Sequence, residues 1–126
     1  MTLLIATYTA LVLAVHDGDT FRTRVTVWPG ETLVTSVRIL GIDAPELGSR
    51  AKCPQEQALA VAARGALSDL LLNQSVFLTH VTPDKFGTRV LADVATADGL
   101  DIAGELLKRG LVVSYDGHGP KHQWCS

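Results

Sequence analysis

Residues 20–27 alternate strictly between two kinds of side chain, and this alternation constrains the fold more than any other feature. One set is mostly apolar and the other is polar: Phe21, Thr23, Val25 and Val27 against Thr20, Arg22, Arg24 and Thr26. Because successive side chains of a β-strand point to opposite faces, the pattern predicts a strand with one buried face. The turn sequences HDGD (16–19) and WPGE (28–31) bound it. We therefore predict a meander with strands at residues 4–15, 20–27 and 33–42.

The remaining sequence predicts two helices and two more strands. Apolar residues recur at helical spacing from Cys53 to about Asn73, and Pro54 suits the first helical position. Gly65 lies within this helix, where it costs about 1 kcal/mol relative to alanine, so we expect a neighbouring element to approach closely there. Strands follow at residues 75–81 and 89–95, and a short helix at residues 101–109 ends before a glycine. The predicted order is β-β-β-α-β-β-α, a mainly β (α+β) class.

Length and composition predict one domain over residues 1–126, since 126 residues with 47% hydrophobic content suffice for one core. The net charge is −2 and no run of lysines or arginines occurs, so any phosphate binding must be local. The first 15 residues have no basic leader region and are too short to cross a bilayer. We therefore expect no membrane association, and a cytoplasmic location unless a leader has been removed.

The segment VRILGIDAPE (37–46) carries one arginine and two acids around an otherwise apolar strand. An arginine among buried neighbours needs an anionic partner, which either the protein or a bound phosphate could supply for Arg38. Gly41 and Pro45 end the strand, so Asp43 and Glu46 are predicted on a turn at its mouth. The alternative for this decapeptide is a surface turn with two solvated acids.

Other polar residues also fall at predicted strand ends, namely Asp17, Asp19 and Arg89. Carboxylates that converge without histidine or thiolate suit a hard cation such as Ca²⁺ or Mg²⁺, and arginines suit a phosphate. Hydrolysis of a phosphodiester requires this combination: positive charge against the phosphoryl oxygens and a carboxylate that orients or deprotonates water.

Four segments resemble the staphylococcal nuclease (thermonuclease) family: VHDGDT (15–20), VRILGIDAPE (37–46), DKFGTRVLADV (84–94) and the DI…L…GL run at residues 101–111. They occur in order over nearly the whole chain, from about Tyr8 to Tyr115. The resemblance implies a five-stranded OB-fold barrel with two helices packed on it. It also implies a Ca²⁺-dependent nuclease that hydrolyses single-stranded DNA and RNA to 3′-phosphate products, acting as a monomer.

The resemblance also assigns roles to individual residues. Asp19 and Asp43 match calcium ligands, Ala44 matches a ligand through its backbone carbonyl, and Asp17 matches an accessory acid. Arg38 and Arg89 match phosphate-binding arginines, and Glu46 matches the general base or positioner of water. Lys85, Phe86 and Tyr115 match nucleotide contacts. Thr88 departs from the family pattern, because it separates Gly87 from Arg89 and could turn that arginine away.

Two further questions stay open at the level of sequence. Cys53 and Cys125 could form a disulfide, remain free thiols or, with His118 and His122, contribute to a zinc site. The function could also be that of a binding module, an OB barrel of the same family that has lost its chemistry. The presence of the acids and arginines favours the enzyme.

Overall fold

The computed structural model describes residues 5–85 and 87–126, which form a closed barrel with two helices. In chain order the strands are β1 (Thr7–Val15), β2 (Thr20–Trp28), β3 (Glu31–Ile39), β4 (Ile42–Asp43), β5 (Ser75–Pro83), β6 (Arg89–Thr96) and β7 (Val113–Ser114). The barrel closes in the order β1-β2-β3-β6-β5, with β5 pairing back to β1. Strands β3 and β6 are parallel, and the other neighbours are antiparallel. The predicted fold class, a mainly β OB-fold barrel, is confirmed.

The two helices follow the predicted order, and each begins at a side-chain cap. Helix α1 (Pro54–Leu71) begins after Cys53, whose sulfur accepts a hydrogen bond from the backbone N–H of Glu56. Helix α2 (Ile102–Lys108) begins after Asp101, whose carboxylate accepts from the N–H of Gly104. These caps satisfy backbone donors that the first helical turn leaves unpaired. No helix of residues 5–85 and 87–126 combines the length and apolar character needed to cross a membrane.

The third strand differs from its prediction of residues 33–42. It ends at Ile39, and the chain turns at Gly41, which has a φ of 85° in the left-handed region that favours glycine. Beyond this turn, β4 leaves the barrel and pairs with β7 near the carboxyl end of the chain. The residues that follow β3 therefore form a separate ledge at the rim of the barrel.

The core fills the barrel and continues under both helices. The largest fully buried side chains are Phe21, Ile39, Ile42, Leu67, Leu71, Leu78, Ile102, Leu106, Val12, Val37, Val76 and Val94. At roughly 1.5–3 kcal/mol for each large apolar side chain, their burial is the main force that holds the helices against the barrel.

Helix α1 packs most closely against the turn between β1 and β2. A methyl group added at Gly18 would lie 2.7 Å from the Cβ of Ala63 and 2.9 Å from the Cβ of Ala44. The predicted close approach at Gly65 is wrong, because nothing lies within 4 Å of a methyl group added there. Gly18 is therefore the glycine that lets the helix, the acidic turn and the ledge meet.

Candidate active site

The turn between β1 and β2 presents two acids in a fixed arrangement. The backbone N–H groups of His16 and Asp17 donate to the carbonyl oxygen of Thr20, which closes the turn. Within it, the N–H of Asp19 donates to Oδ1 of Asp17 at 3.0 Å. Asp19 is only 6% exposed. This turn therefore directs one carboxylate inward and holds the other beside it.

Asp19 also connects this turn to the ledge after β3. Its Oδ2 accepts a hydrogen bond from the N–H of Ala44 at 2.9 Å, and its Oδ1 accepts from the hydroxyl of Thr20 at 2.8 Å. Ala44 is buried and follows Asp43, which is 2% exposed. A single carboxylate thus fixes the relative position of two segments that are 25 residues apart in sequence.

Arg38 lies between the two aspartates and shows that their carboxylates converge. Its NH2 nitrogen is 3.4 Å from Oδ2 of Asp19 and 3.3 Å from Oδ1 of Asp43. Its NH1 nitrogen donates to the carbonyl oxygen of Ile42 at 3.2 Å. The anionic partner that the sequence requires for Arg38 is therefore supplied by the protein itself.

Glu46 joins the same electrostatic cluster, and a second glutamate holds its backbone. The N–H of Glu46 donates to Oε2 of Glu56 at 2.9 Å, and the N–H of Lys52 donates to Oε1 of the same residue at 2.9 Å. Glu56 is only 4% exposed, so one buried carboxylate fastens both ends of the loop to helix α1. Sequence reasoning missed this role. The only local signal was a glutamate at the third helical position, which usually bonds back to the cap residue.

The acids crowd one another, and their pKa values show it. Burial raises the pKa of Asp17 to about 8, and the nearby charge of Asp19 raises it further. Burial also raises the pKa values of Asp43 and Glu46, which the ammonium group of Lys121 partly counteracts. Buried like charges favour protonation unless a cation compensates them. The cluster therefore has a deficit of positive charge.

Arg89 forms an ion pair at the start of β6. Its Nε donates to Oδ2 of Asp84, and Oδ1 of Asp84 accepts from the N–H of Lys85 at 2.7 Å. Burial alone would raise the pKa of Asp84, but the bond from Arg89 lowers it below its ordinary value. Despite the intervening Thr88, Arg89 lies along the same groove as Arg38.

This groove, which we call the tail groove, has a volume of about 460 Å³. Its lining includes Arg38, Lys85, Arg89, Tyr115 and Lys121. The structure thus brings four of the residues predicted to contact substrate onto one surface, and adds Lys121. Phe86, the remaining predicted nucleotide contact, lies outside the described residues.

The carboxyl-terminal segment, residues 115–126, forms one wall of the tail groove. Cys53 and Cys125 are joined by a disulfide, which is one of the three states that the sequence left open. The Nζ of Lys121 lies 3.7 Å from Oδ1 of Asp43 and 3.9 Å from Oε1 of Glu46. Trp124 donates a side-chain hydrogen bond to Asp43. No local sequence signal predicts these contacts, because they depend on where the disulfide carries the tail.

The donor set fits a hard cation in its chemistry. Asp19 and Asp43 offer carboxylate oxygens that already converge on one positive group, and neither histidine nor sulfur lies among these ligands. Among the described residues, no cluster of three or more acidic, histidine or cysteine side chains is arranged to hold a metal ion. The protein therefore presents part of an oxygen shell, which waters or a substrate oxygen would have to complete.

Comparison with known proteins agrees with this geometry. A family model described as staphylococcal nuclease homologue matches residues 36–124, which is more than half of the chain and includes the ledge, helix α1, β6 and the tail. A search of curated proteins found no match to this sequence.

Proposed function

The chain belongs to the staphylococcal nuclease family, and from that premise we propose that it is a Ca²⁺-dependent nuclease. The proposed reaction is hydrolysis of phosphodiester bonds in single-stranded DNA and RNA, with little sequence preference and with 3′-phosphate products. We propose that the protein acts as a monomer. It does not require a membrane.

One observation carries this proposal more than any other. The carboxylates of Asp19 and Asp43 both lie within 3.4 Å of a single nitrogen of Arg38. Glu46 lies three residues after Asp43, and Arg89 lines the same groove as Arg38. Oxygen ligands, guanidinium groups and a separate carboxylate are the parts that phosphodiester hydrolysis requires. They meet here at the rim of an OB-fold barrel, on whose surface oligonucleotides commonly bind.

In the proposed arrangement Asp19, Asp43 and the carbonyl oxygen of Ala44 hold Ca²⁺, with Asp17 as an accessory acid. Bound there, the ion would supply positive charge against the phosphoryl oxygens of the substrate. It would also compensate the acids whose pKa values burial raises, Asp17, Asp43 and Glu46.

Arg38 and Arg89 bind the phosphate and stabilise the negative charge that grows on its oxygens in the transition state. Glu46 orients the attacking water or accepts its proton at the carboxylate. The new bond forms between the water oxygen and phosphorus, and the bond from phosphorus to the 5′-oxygen breaks. The 5′-oxygen leaves with a proton, so the phosphate remains on the 3′ side.

The tail groove suits the nucleotide next to that phosphate. Lys85 supplies positive charge and Tyr115 supplies an aromatic ring on which a base can stack. Stacking is available to every base, so this contact discriminates little between sequences. These features support single-stranded substrates, whose bases are free to stack on a protein ring.

Calorimetric titration tests the metal part of the proposal. Because Asp19 and Asp43 form only part of an oxygen shell, Ca²⁺ should bind weakly alone and more tightly with a nucleoside 3′,5′-bisphosphate. The Glu46→Gln variant should bind the bisphosphate normally while cleaving single-stranded DNA more slowly, because it removes the carboxylate that acts on water. Absence of Ca²⁺ binding with and without the bisphosphate would remove calcium from the account.

A further inference from the structure

A second groove meets the tail groove at Arg89. It has a volume of about 880 Å³, and we call it the helix groove because Arg64 of helix α1 lines it. Arg22, Arg50, Arg89 and Glu46 also lie along it. None of the roles described above uses Arg22, Arg50 or Arg64.

The strand register explains why a groove forms on this part of the barrel surface. Ala14 of β1 pairs with Arg22 of β2, Arg22 pairs with Ser36 of β3, and Ser36 pairs with Arg89 of β6. Directly paired residues project from the same face of a sheet. Two arginines therefore alternate with two small side chains along one row, and the small side chains leave space between the arginines.

The neighbouring row shows the contrast. Arg24 also points outward from β2, but it pairs with Leu11 and Val34, which are large exposed apolar residues. Arg24 does not line any of the three grooves identified on the described surface. The groove thus depends on the small residues beside Arg22 and not merely on the presence of an arginine.

The helix groove also concentrates positive charge in a chain that is acidic overall. Four arginines line it together with two acids, Asp17 and Glu46, whereas the whole chain carries a net charge of −2. Within residues 5–85 and 87–126, neither Arg22 nor Arg64 forms an ion pair with an acid. Unpaired arginines along an open groove attract a polyanion, because binding releases the counterions of its phosphates.

We propose that the helix groove binds the sugar-phosphate backbone of the polynucleotide strand as it continues past the scissile phosphate. This rests on the proposed function, since the groove gains its meaning from the cleavage centre at Glu46 and Arg89. The described residues that line the groove include no Phe, Tyr or Trp. Recognition there is therefore through phosphates, which carry no sequence information directly, and the preferred substrate is a chain rather than a single nucleotide.

A binding experiment with a matched control tests this inference without relying on cleavage. The probes are a fluorescent ten-nucleotide oligothymidylate and a nucleoside 3′,5′-bisphosphate, both measured in chelator over a series of salt concentrations. The variants are Arg22→Gln combined with Arg64→Gln, and Arg24→Gln as the control from the same strand. All three side chains are exposed, so thermal unfolding is expected to show folded proteins.

For the double variant we expect oligonucleotide affinity to fall by about tenfold at low salt. Its salt dependence should become shallower by about 1.4 in the slope of log K against log salt, or about 0.7 for each lost phosphate contact on a single strand. Bisphosphate affinity should change by less than about twofold, and Arg24→Gln should bind both probes like the wild type.

Three outcomes would overturn the inference: no oligonucleotide binding by the wild type, no loss in the double variant, or an equal loss with Arg24→Gln. Cleavage by the wild type is scored separately. A protein that binds the oligonucleotide in this pattern but never cleaves it would retain the groove and lose the proposed function. A protein that cleaves it but shows equal losses in both variants would retain the function and lose the groove.

Discussion

The two sides of the candidate site are held in different ways. On one side, Asp19 and Arg38 sit at paired strands of a closed barrel, and the N–H of Ala44 bonds directly to Asp19. On the other side, the tail after β7 is held by the disulfide and by side-chain contacts such as those of Lys121. The barrel side follows from strand register, whereas the tail side depends on one covalent bond and a few polar contacts.

This difference separates what the site needs for chemistry from what it needs for binding. The predicted metal ligands and phosphate-binding arginines belong to the barrel side. The tail contributes Tyr115 and Lys121 to the groove wall and places the Lys121 ammonium group near Asp43 and Glu46. We therefore expect changes in the tail to alter stability and nucleotide affinity, and changes in the barrel side to alter the rate of cleavage.

The largest expected effect comes from removal of the disulfide. The bond joins residues separated by 72 positions, and the chain-entropy model assigns up to about 4 kcal/mol to a loop of that length. In the Cys53→Ser, Cys125→Ser variant, the free energy of unfolding in urea should fall by up to that amount. Serine can still accept the capping hydrogen bond that the Cys53 sulfur accepts from Glu56.

Reductant is the control for this result. It should lower the stability of the wild type and leave the double serine variant unchanged. Mass spectrometry after alkylation without reductant should show no added alkyl groups in the wild type. Addition of two alkyl groups would show free thiols and would remove the covalent difference between the two sides.

The next largest effect concerns the arginines of the barrel side. Arg38→Gln and Arg89→Gln should each lower kcat/KM on single-stranded DNA by about 10²–10³-fold, because each removes a donor that stabilises transition-state charge. Arg109, which pairs with Glu105 on helix α2, provides the control, and Arg109→Gln should cleave at the wild-type rate. A wild-type rate for Arg89→Gln would mean that Thr88 has turned this arginine away from the phosphate.

A smaller effect is expected in the pH dependence of stability when Ca²⁺ is removed by chelator. Burial raises the pKa of Asp17 from 3.8 to about 8. The folded protein therefore keeps a proton that the unfolded chain releases, and stability should fall as the pH rises from about 4 to 8. Between pH 5 and pH 7 the loss from this group is at most about 3 kcal/mol.

Urea unfolding at several pH values measures this loss, with Asp17→Asn as the comparison. The variant should show a shallower fall, since Asp43 and Glu46 retain raised pKa values that act in the same direction. Identical pH profiles for the two proteins would mean that Asp17 does not experience the crowding described here.

The smallest expected effect compares two glycines. Gly18→Ala should lower the free energy of unfolding by about 1–3 kcal/mol, because the added methyl group meets Ala63 and Ala44 at less than 3 Å. Gly65→Ala should be neutral or stabilising by up to about 1 kcal/mol, because space is open there and alanine favours the helix. Thermal unfolding of both variants checks the pair. Equal stability would mean that the helix does not fix the acidic turn.

Local patterns predicted most of the fold. The alternation at residues 20–27 and the helical spacing after Cys53 each predicted an element within a few residues of its bounds. The end of β3 was misjudged because Ile42 continues the apolar pattern, while the left-handed turn at Gly41 redirects the chain to pair with β7. Pairing between segments so distant in sequence leaves no local signal.

The candidate site divides in the same way. The acids and arginines of the barrel side stand within short segments, so sequence could nominate Asp19, Arg38 and Asp43 together. Glu56 and Lys121 could not be nominated, because their contacts with the ledge depend on how helix α1 and the disulfide-bonded tail fold back. The close approach assigned to Gly65 failed for a related reason, since a helix glycine does not indicate which residues lie opposite it.

A nuclease assay with a chelator control tests the central claim most directly. A single-stranded DNA oligonucleotide and an RNA oligonucleotide are incubated with the wild type in Ca²⁺ or in chelator, and the product ends are identified by mass spectrometry. The account predicts cleavage of both in Ca²⁺, 3′-phosphate ends, and no cleavage in chelator. No cleavage in Ca²⁺, Mg²⁺ or Mn²⁺ would contradict it and would leave an OB-fold binding module in its place.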